Sequence, residues 1–453
     1  MKSLVALLLA VALSGCGVAP RDAGPIRIGA VFPISSNAAS LAGPELTGVR
    51  IAADQVNADG GIDGRKIELV VRDLRSRGDA ASVMHEFRAS GVQLVIGAYS
   101  SDLSIVASEA ADKEGLLYWE AGAVADRLTG RGLPRVFRVG ASGSNLGANS
   151  SDFAATELAS RLGKPVSQLR IGIAVADDDY ARSVADAAES TARERGMPIV
   201  VRRSYNLTVP DWPRVMADLA AAKPDVLILA SHIPDGIAFR QAMVASGLKV
   251  GALIGSTMAE CDPDFAGELG ADAIGIFASD RPTAGFQAAA LAPEAAAAYA
   301  RFAADWAAAS KTGTDAASGA SGESDGEYGD RAYADSEYTI HGPAEDATAE
   351  QSEEALAGYS AGWALFRRVL PAAASSGTFL DADAVAGAAR AVDLPDGSLP
   401  NGAGLRFSSD PARLGQNERA AAVIWQWQAV RTYAFVWPAS YATGGIQFVP
   451  LTR

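Results

Sequence analysis

The stretch VIGAYSSDLSIVASEAADKEGLLYWEAGAVAD, residues 95–126, contains the pattern that decides the fold. One apolar run ends in GAYSS (97–101), a segment with helical spacing follows, and a second apolar run ends in EAGAV (120–124). Short apolar runs separated by one helix predict two buried parallel strands. Ligands of open α/β sheets bind beyond the carboxyl ends of the strands, so both endings are candidate contact loops.

The same alternation of strand and helix extends in both directions from this stretch. It begins at residue 26 and is repeated in a second α/β unit after about residue 150. The sequence therefore predicts an α/β fold with two doubly wound, Rossmann-like lobes. A cleft between two such lobes is a natural ligand site.

Composition limits the classes of function. The 453 residues are 49% hydrophobic and 20% charged, which is typical of a globular protein large enough for two or three domains. The net charge of −14 argues against nucleic acid as a partner, because phosphate backbones require clustered Lys and Arg.

The first sixteen residues, MKSLVALLLAVALSGC, predict export. A Lys is followed by a short apolar run that is too short to span a bilayer as a mature helix, as in a secretory signal peptide. The ending Leu-Ser-Gly-Cys resembles a bacterial lipobox, which implies lipidation of Cys16 and a tether over residues 17–25. The alternative is an ordinary signal peptide that happens to contain a Cys.

The remaining residues with metal or redox chemistry are few. If Cys16 is lipidated, Cys261 has no intramolecular disulfide partner. Three His and one free Cys do not form a zinc set at a recognised spacing, and neither a cofactor motif nor a Gly-x-Ser-x-Gly nucleophile elbow occurs. We therefore expect no metal, no cofactor and no enzymatic activity.

Residues 312–353 differ in composition from the rest of the chain. They are rich in Gly, Ser, Asp, Glu and Ala and contain almost no aliphatic residues, so they predict a disordered or loosely packed acidic insertion. The alternative is an acidic metal or partner site that includes His341, although charge-rich runs are usually solvated.

Three segments resemble a known family. They are ADQVNADGGIDGRKIELVVRD (53–73), DDDYARSVADAAESTARERG (177–196) and GLRFSSDPARLGQNERAAAVIWQWQ (404–428). All three are similar to extracellular solute-binding proteins of the leucine/isoleucine/valine-binding type, and the resemblance covers nearly the whole chain outside the tether and the insertion. The Asn-x-x-Gly-Gly-Ile-x-Gly motif within the first segment ends a helix and turns tightly into a strand.

The resemblance implies a type I periplasmic-binding-protein fold with a hinge of three crossovers. The first lobe would comprise residues 26–140 and 283–415, and the second lobe residues 141–282 and 416–453. It also implies a lipid-anchored receptor on the extracytoplasmic face of the cell membrane, which binds a small solute and delivers it to an ABC transporter permease.

On the first lobe, the resemblance implies that the two contact loops bind the solute. The start of the helix after residue 100 favours an anion, because its N–H groups are unsatisfied, and neighbouring hydroxyls can donate to a carboxylate. The alternative is that Ser101 or Asp102 only caps this helix. Val124 stands where the family carries a hydroxyl. Glu120 is an additional anion near the predicted pocket, where it could bind a cation or an amide N–H. The alternative interpretation of Glu120 is a surface position or a hydrogen bond to the hinge. The predicted contacts of this lobe are Tyr99, Ser100, Ser101, Glu120, Gly122, Ala123 and Val124.

On the second lobe, the resemblance implies contacts from three strand exits. Tyr180 stands where an aromatic residue covers the solute, and His232 stands where a Tyr is common, although a lone His is often only structural. Thr257 replaces the acid that binds an amino-acid ammonium, with Glu260 three residues further on.

The predicted function is capture of a small polar solute, an amino acid or a related compound. An amide or urea receptor and a sensor lipoprotein of the same fold stay open as alternatives.

Overall fold

The computed structural model describes residues 24–256, 263–312, 352–375 and 381–451. Within these ranges no helix is both long enough and apolar enough to cross a membrane. The strands form two main sheets and one short two-stranded ribbon.

The first sheet contains only parallel strands, in the order β2-β1-β3-β4-β5. Its strands are β1 (Ile26–Phe32), β2 (Ile67–Asp73), β3 (Leu94–Gly97), β4 (Leu117–Glu120) and β5 (Val136–Arg138). β3 and β4 are buried along their whole length, which explains why both are continuous apolar runs. Because the two strands are parallel neighbours, the loops that follow them lie at the same edge of the sheet.

The second sheet has the order β14-β13-β10-β9-β8-β6-β7. The chain continues through β6 (Ile171–Ala176), β7 (Ile199–Tyr205), β8 (Val226–Ala230), β9 (Ala252–Ser256), β10 (Phe277–Asp280), the ribbon strands β11 (Asp393–Leu394) and β12 (Leu405–Arg406), β13 (Val423–Ala429) and β14 (Thr432–Trp437). β6 to β10 are parallel, whereas β13 and β14 are antiparallel additions at one side.

Helices pack around the two sheets. They are α1 (Ala39–Ala58), α2 (Ala80–Ala89), α3 (Ser101–Lys113), α4 (Gly143–Phe153), α5 (Ala159–Arg161), α6 (Asp179–Glu194), α7 (Trp212–Ala222), α8 (Ile233–Ser246), α9 (Pro263–Leu269), α10 (Pro293–Thr312), α11 (Glu353–Ala364), α12 (Leu370–Ala374) and α13 (Ala382–Ala391). A π-helical turn joins α4 to α5, and another joins α11 to α12.

The chain crosses between the sheets after β5, after β10 and after β12. Two of these crossings run side by side, because the Arg138 N–H donates to Gly415 O at 2.9 Å and the Asn417 N–H donates to Arg138 O at 3.0 Å. We call the five-stranded sheet with its helices the first lobe and the seven-stranded sheet with its helices the second lobe. The predicted fold of two α/β lobes is confirmed.

The limits predicted for the acidic insertion overlap the neighbouring helices by one residue at each end. The acidic insertion was expected over 312–353, but Thr312 is the last residue of α10 and Glu353 is the first residue of α11. Glu353 is buried, with the Ser352 side chain capping its helix. The rest of the insertion, residues 313–351 with His341, lies outside the described residues.

Candidate functional site

The loops after β3 and β4 are joined by one side chain. The Ser101 hydroxyl accepts a hydrogen bond from the Ala125 N–H at 3.0 Å, and Ser101 is buried. The two loops singled out in the sequence therefore form one surface of the first lobe.

Side-chain hydrogen bonds of two serines hold the backbone of the loop after β3. Tyr99 is buried and has a left-handed φ of 74°. The Ser100 hydroxyl caps α3 by accepting from the Leu103 N–H at 3.3 Å, so the expectation that Ser101 or Asp102 provides the cap is wrong. Ser100 takes this role because its extended backbone directs the hydroxyl at the first turn. The Ser104 hydroxyl accepts from the Ala98 N–H at 3.1 Å.

Glu120 shapes the loop after β4. One of its oxygens accepts from the N–H groups of Ala121, Gly122 and Ala123 at 3.1, 2.9 and 3.0 Å. The other oxygen accepts from the Tyr118 hydroxyl at 3.1 Å. Glu120 is fully buried, which excludes the surface position considered for it. Its carboxylate turns the loop rather than extending into open solvent.

Two buried arginines hold the carbonyl groups of the same loop. Arg281, after β10, donates to Ala121 O at 3.2 Å and to Gly122 O at 2.9 Å. Arg138, at the end of β5, donates to Ala123 O at 3.2 Å and to Ala125 O at 2.7 Å. Burial lowers the pKa of Arg138 to about 10, so it stays charged at neutral pH. The loop is thus fastened to two of the three crossings.

The backbone of Val124, in the middle of this loop, makes a hydrogen bond through its carbonyl group. Its carbonyl accepts from the Gly143 N–H at 2.6 Å, which ties the loop to the start of α4. Among the described residues, the Val124 N–H has no hydrogen-bond acceptor. Val124 therefore lacks the expected hydroxyl but offers its backbone donor.

Glu45 in α1 was not singled out from the sequence. It is completely buried, and neither carboxyl oxygen has a hydrogen-bond partner among the described residues. A methyl group added at Gly122 would lie 2.1 Å from its Oε2, so Glu45 lies directly against the loop after β4. A signal was present, because Glu45 occupies the same helical face as Leu41 and Val49, where an apolar residue is expected.

Further carboxyl groups surround Arg281 beside Glu45. Glu353 pairs with the Arg281 guanidinium, whose Nε lies 2.6 Å from Oε1 of Glu353. Glu354 is also buried, and burial together with the charge of Glu353 raises its pKa to about 7. Sequence reasoning missed both residues, because Glu353 was assigned to the acidic insertion as its last residue and Glu354 directly follows it.

On the second lobe, Tyr180 and His232 form a pair. Their rings are in contact, with centroids 4.8 Å apart and planes tilted by 31°, and the His232 Nε2 lies 2.9 Å from a carboxylate oxygen of Asp178. Asp178 also caps α6 through the Ala181 N–H at 2.7 Å. Burial alone would lower the pKa of His232, but the charges of Asp178 and Asp235 and the hydrogen bond to Asp178 raise it to about 9.

The two lobes touch near these residues. The Asp126 N–H donates to the Ser183 hydroxyl of α6 at 3.0 Å, and Arg127 pairs with Asp179 at 2.9 Å. Burial raises the pKa of Asp102 in α3, Arg77 opposes this, and the charges of Asp178 and Asp179 raise it further. The first turns of α3 and α6 therefore face each other across the boundary between the lobes.

Three predicted residues lie outside the described residues: Cys16, Thr257 and Glu260. The seven predicted contacts of the first lobe lie on the joined loops, and Tyr180 and His232 lie together on the second. In the part of the chain that the structure describes, no group of His, Cys, Asp and Glu residues is arranged to hold a metal ion.

Comparisons with known proteins agree with this architecture. A model of the periplasmic binding protein family matches residues 25–328. The Leu/Ile/Val-binding protein homolog 8 of Brucella abortus (strain 2308) is 28% identical over 449 residues, which cover 99% of this chain and 98% of that protein.

Two solved structures show the same fold. A putative branched-chain amino acid ABC transporter protein from Silicibacter pomeroyi has a TM-score of 0.68 at 18% identity, covering 94% of this chain and 99% of that chain. A substrate-binding protein from Desulfitobacterium hafniense in complex with Leu has a TM-score of 0.64 at 22% identity, covering 91% of this chain and 100% of that chain.

Proposed function

Because this chain belongs to the periplasmic binding protein family, we propose that it captures a small solute between its lobes and delivers it to the permease of an ABC transporter. The family consists of binding proteins, so the chain is not an enzyme, as predicted. We retain the lobe limits of 26–140 with 283–415 and 141–282 with 416–453 as part of this proposal.

One observation carries the proposal. The loops after β3 and β4 are joined by Ser101, and they lie on the side of the first lobe where the start of α3 faces the start of α6. Tyr180 and His232 stand at the starts of α6 and α8, at the exits of parallel strands. Two sets of strand exits that face each other are the usual place for a ligand of open α/β sheets.

We further propose that the solute carries a carboxylate group. The first two N–H groups of α3, those of Ser101 and Asp102, have no intrahelical acceptors, and the Val124 N–H has no acceptor among the described residues. Donors of this kind suit an anion, and a relative is named for binding leucine, isoleucine and valine. An amino acid is therefore the first candidate, with a short amide or urea as the second, because backbone donors also suit a neutral carbonyl oxygen.

The lipid anchor belongs to the same proposal. The segment that ends in Cys16 lies outside the described residues, so the lipobox resemblance is its only support. Expression in a bacterium with radiolabelled palmitate should label the full chain, and Cys16→Ser should abolish the label. Labelling of the Cys16→Ser variant would refute lipidation at this residue.

A thermal-shift screen tests the solute. Protein that starts at residue 24 is heated with branched-chain and polar amino acids, short amides and urea, with a nucleotide and a sugar as further probes. A solute that binds the folded state raises the melting temperature with its concentration over Kd. His232→Ala combined with Tyr180→Ala should remove the shift, whereas Ser190→Ala on the exposed face of α6 should retain it. A shift only with the nucleotide or the sugar would refute the proposed solute class.

A further inference from the structure

The carboxyl group of Glu45 lies in an unusual environment behind the contact loop. It is fully buried, it has no hydrogen-bond donor among the described residues, and its Oε2 lies against Gly122. An ionised carboxylate in such a place is costly, because burial removes its hydration and no partner replaces it.

The charged and titratable groups that face Glu45 come from three elements. They are Tyr118 and Glu120 of β4, Arg281 after β10, and Glu353 and Glu354 of α11. Three of these five groups are carboxyl groups that raise the pKa of Glu45, one is a cation that lowers it, and the Tyr118 hydroxyl is neutral because its own pKa is raised well above its usual range.

The single cation is already engaged. Arg281 forms its ion pair with Glu353 and donates to two carbonyl groups of the contact loop. Burial raises the pKa of Glu120 as well, but its hydrogen bonds from three N–H groups and one hydroxyl oppose this shift, whereas Glu45 has no such bonds among the described residues. Burial, followed by the charge of Glu120, therefore raises the pKa of Glu45 well above its usual range.

We propose that Glu45 determines specificity for carboxylate solutes by remaining a neutral carboxylic acid behind the loop at Gly122. This inference rests on the proposed function. A solute carboxylate bound by the Val124 N–H and the start of α3 would lie beside the same loop, because Val124 is only two residues from Gly122. An ionised Glu45 would repel the solute carboxylate through the loop, whereas a protonated Glu45 does not.

The consequence is a link between binding and protons. Where Glu45 is ionised in the free protein, a carboxylate solute binds only together with a proton, which moves from the solvent to a Glu45 carboxyl oxygen. The affinity should then fall as the pH rises, by up to tenfold per pH unit. Where Glu45 is already protonated, the affinity should not depend on this proton.

Calorimetric titration with L-leucine from pH 5.5 to 8.5 tests the link. Repeating each titration in two buffers with different ionisation enthalpies counts the protons taken up. We expect the wild-type affinity to fall at the alkaline end with proton uptake, and Glu45→Gln to keep the acid-side affinity at every pH without uptake. Glu109→Gln, the same change at an exposed site in α3, should retain the wild-type slope.

Two results would overturn the proposal: a wild-type affinity that falls with pH by the same slope as in Glu45→Gln, or loss of binding in Glu45→Gln at every pH. A wild-type affinity that is constant up to pH 8.5 is the result for a Glu45 that keeps its proton throughout, and the stability measurement then decides. Failure of L-leucine to bind would count against the proposed solute and not against the neutral state of Glu45. In that case the stability of the free protein, measured as a function of pH, tests the protonation state of Glu45. Wild-type stability should fall relative to that of Glu45→Gln as the pH rises, because folded Glu45 retains its proton. A stability difference that does not change with pH would overturn the neutral state of Glu45.

Discussion

Several polar side chains of the contact loops form hydrogen bonds that hold the loops in place. Ser100 caps α3, Ser101 holds the Ala125 N–H, and Glu120 collects three N–H groups. Their part in solute binding stays a prediction. Removal of one of these side chains leaves at least one backbone N–H group without its hydrogen-bond acceptor. An alanine substitution is therefore expected to lower stability as well as any solute affinity.

Ser101→Ala should lower the free energy of unfolding by about 1–3 kcal/mol, because it leaves the buried Ala125 N–H without its acceptor. Urea denaturation followed by circular dichroism measures the change. Ser190→Ala, which removes a hydroxyl at an exposed position, should cost less than about 0.5 kcal/mol. Equal effects of the two substitutions would contradict the structural role of Ser101.

His232 should stabilise the protein in a defined pH range. Its folded-state pKa of about 9 lies above the usual value of 6.5, so its contribution is complete below about pH 6.5 and is lost as the pH rises through about 9. Melting temperatures of wild type and His232→Gln between pH 6 and 10 check this. Their difference should be largest at pH 6 and should shrink towards pH 10. A difference that grows with pH would show that folded His232 is neutral.

At the scale of elements, the packing of α11 on α1 positions the cluster around Glu45. The backbones approach closely at two glycines, since an added Cβ would lie 2.1 Å from Ala355 O at Gly48 and 2.0 Å from Glu45 O at Gly358. A side chain at either position would push the helices apart. The same approach brings Glu353 and Glu354 to Arg281, so helix packing determines the charge environment behind the loop.

Gly358→Ala should destabilise the protein by roughly 1–3 kcal/mol, because the new Cβ overlaps the backbone of α1. The matched control is Gly387→Ala in α13, where an added Cβ meets nothing within 4 Å. That change should be neutral or should stabilise by up to about 1 kcal/mol, because alanine favours the helix. Chemical denaturation of both variants measures the contrast, and similar losses in both would refute the close contact.

At the scale of the whole molecule, the crossings and the contact loop form one unit. Arg138 and Arg281 lie beside different crossings, and both donate to the loop after β4. Contacts of Asp126 with Ser183 and of Arg127 with Asp179 join the same region to α6. A change in the angle between the lobes would therefore act on the loop directly.

Replacement of residues 313–351 by a short Gly-Ser linker should change solute affinity less than about threefold and stability by less than about 1 kcal/mol, because their composition offers little to bury. Extending the replacement through Glu354 should cost clearly more, since it removes the partner of the buried Arg281. Calorimetry and denaturation of both variants decide. Loss of binding in the shorter replacement would place the acidic segment in the solute site.

The sequence by itself determined the architecture and the position of the loops. Strand and helix periodicity depends on the local spacing of apolar residues. The two α/β lobes and the strand ends at GAYSS and EAGAV were therefore predicted from the local sequence pattern alone. The family resemblance added the second-lobe exits at Tyr180 and His232. These features follow from local pattern, which a single chain displays directly.

Only the tertiary structure decided what the polar groups at those exits contact. Ser101 meets Ala125 across 24 residues, and Arg281 meets Glu353 across 72 residues. In the sequence, Glu45 is one charged residue on the apolar face of a predicted helix. In the structure, the packing of α1 on α11 and the loop at Gly122 enclose its carboxyl group. The physical reason is that burial and charge pairing depend on contacts between distant segments, and the spacing of residues along the chain does not specify those contacts.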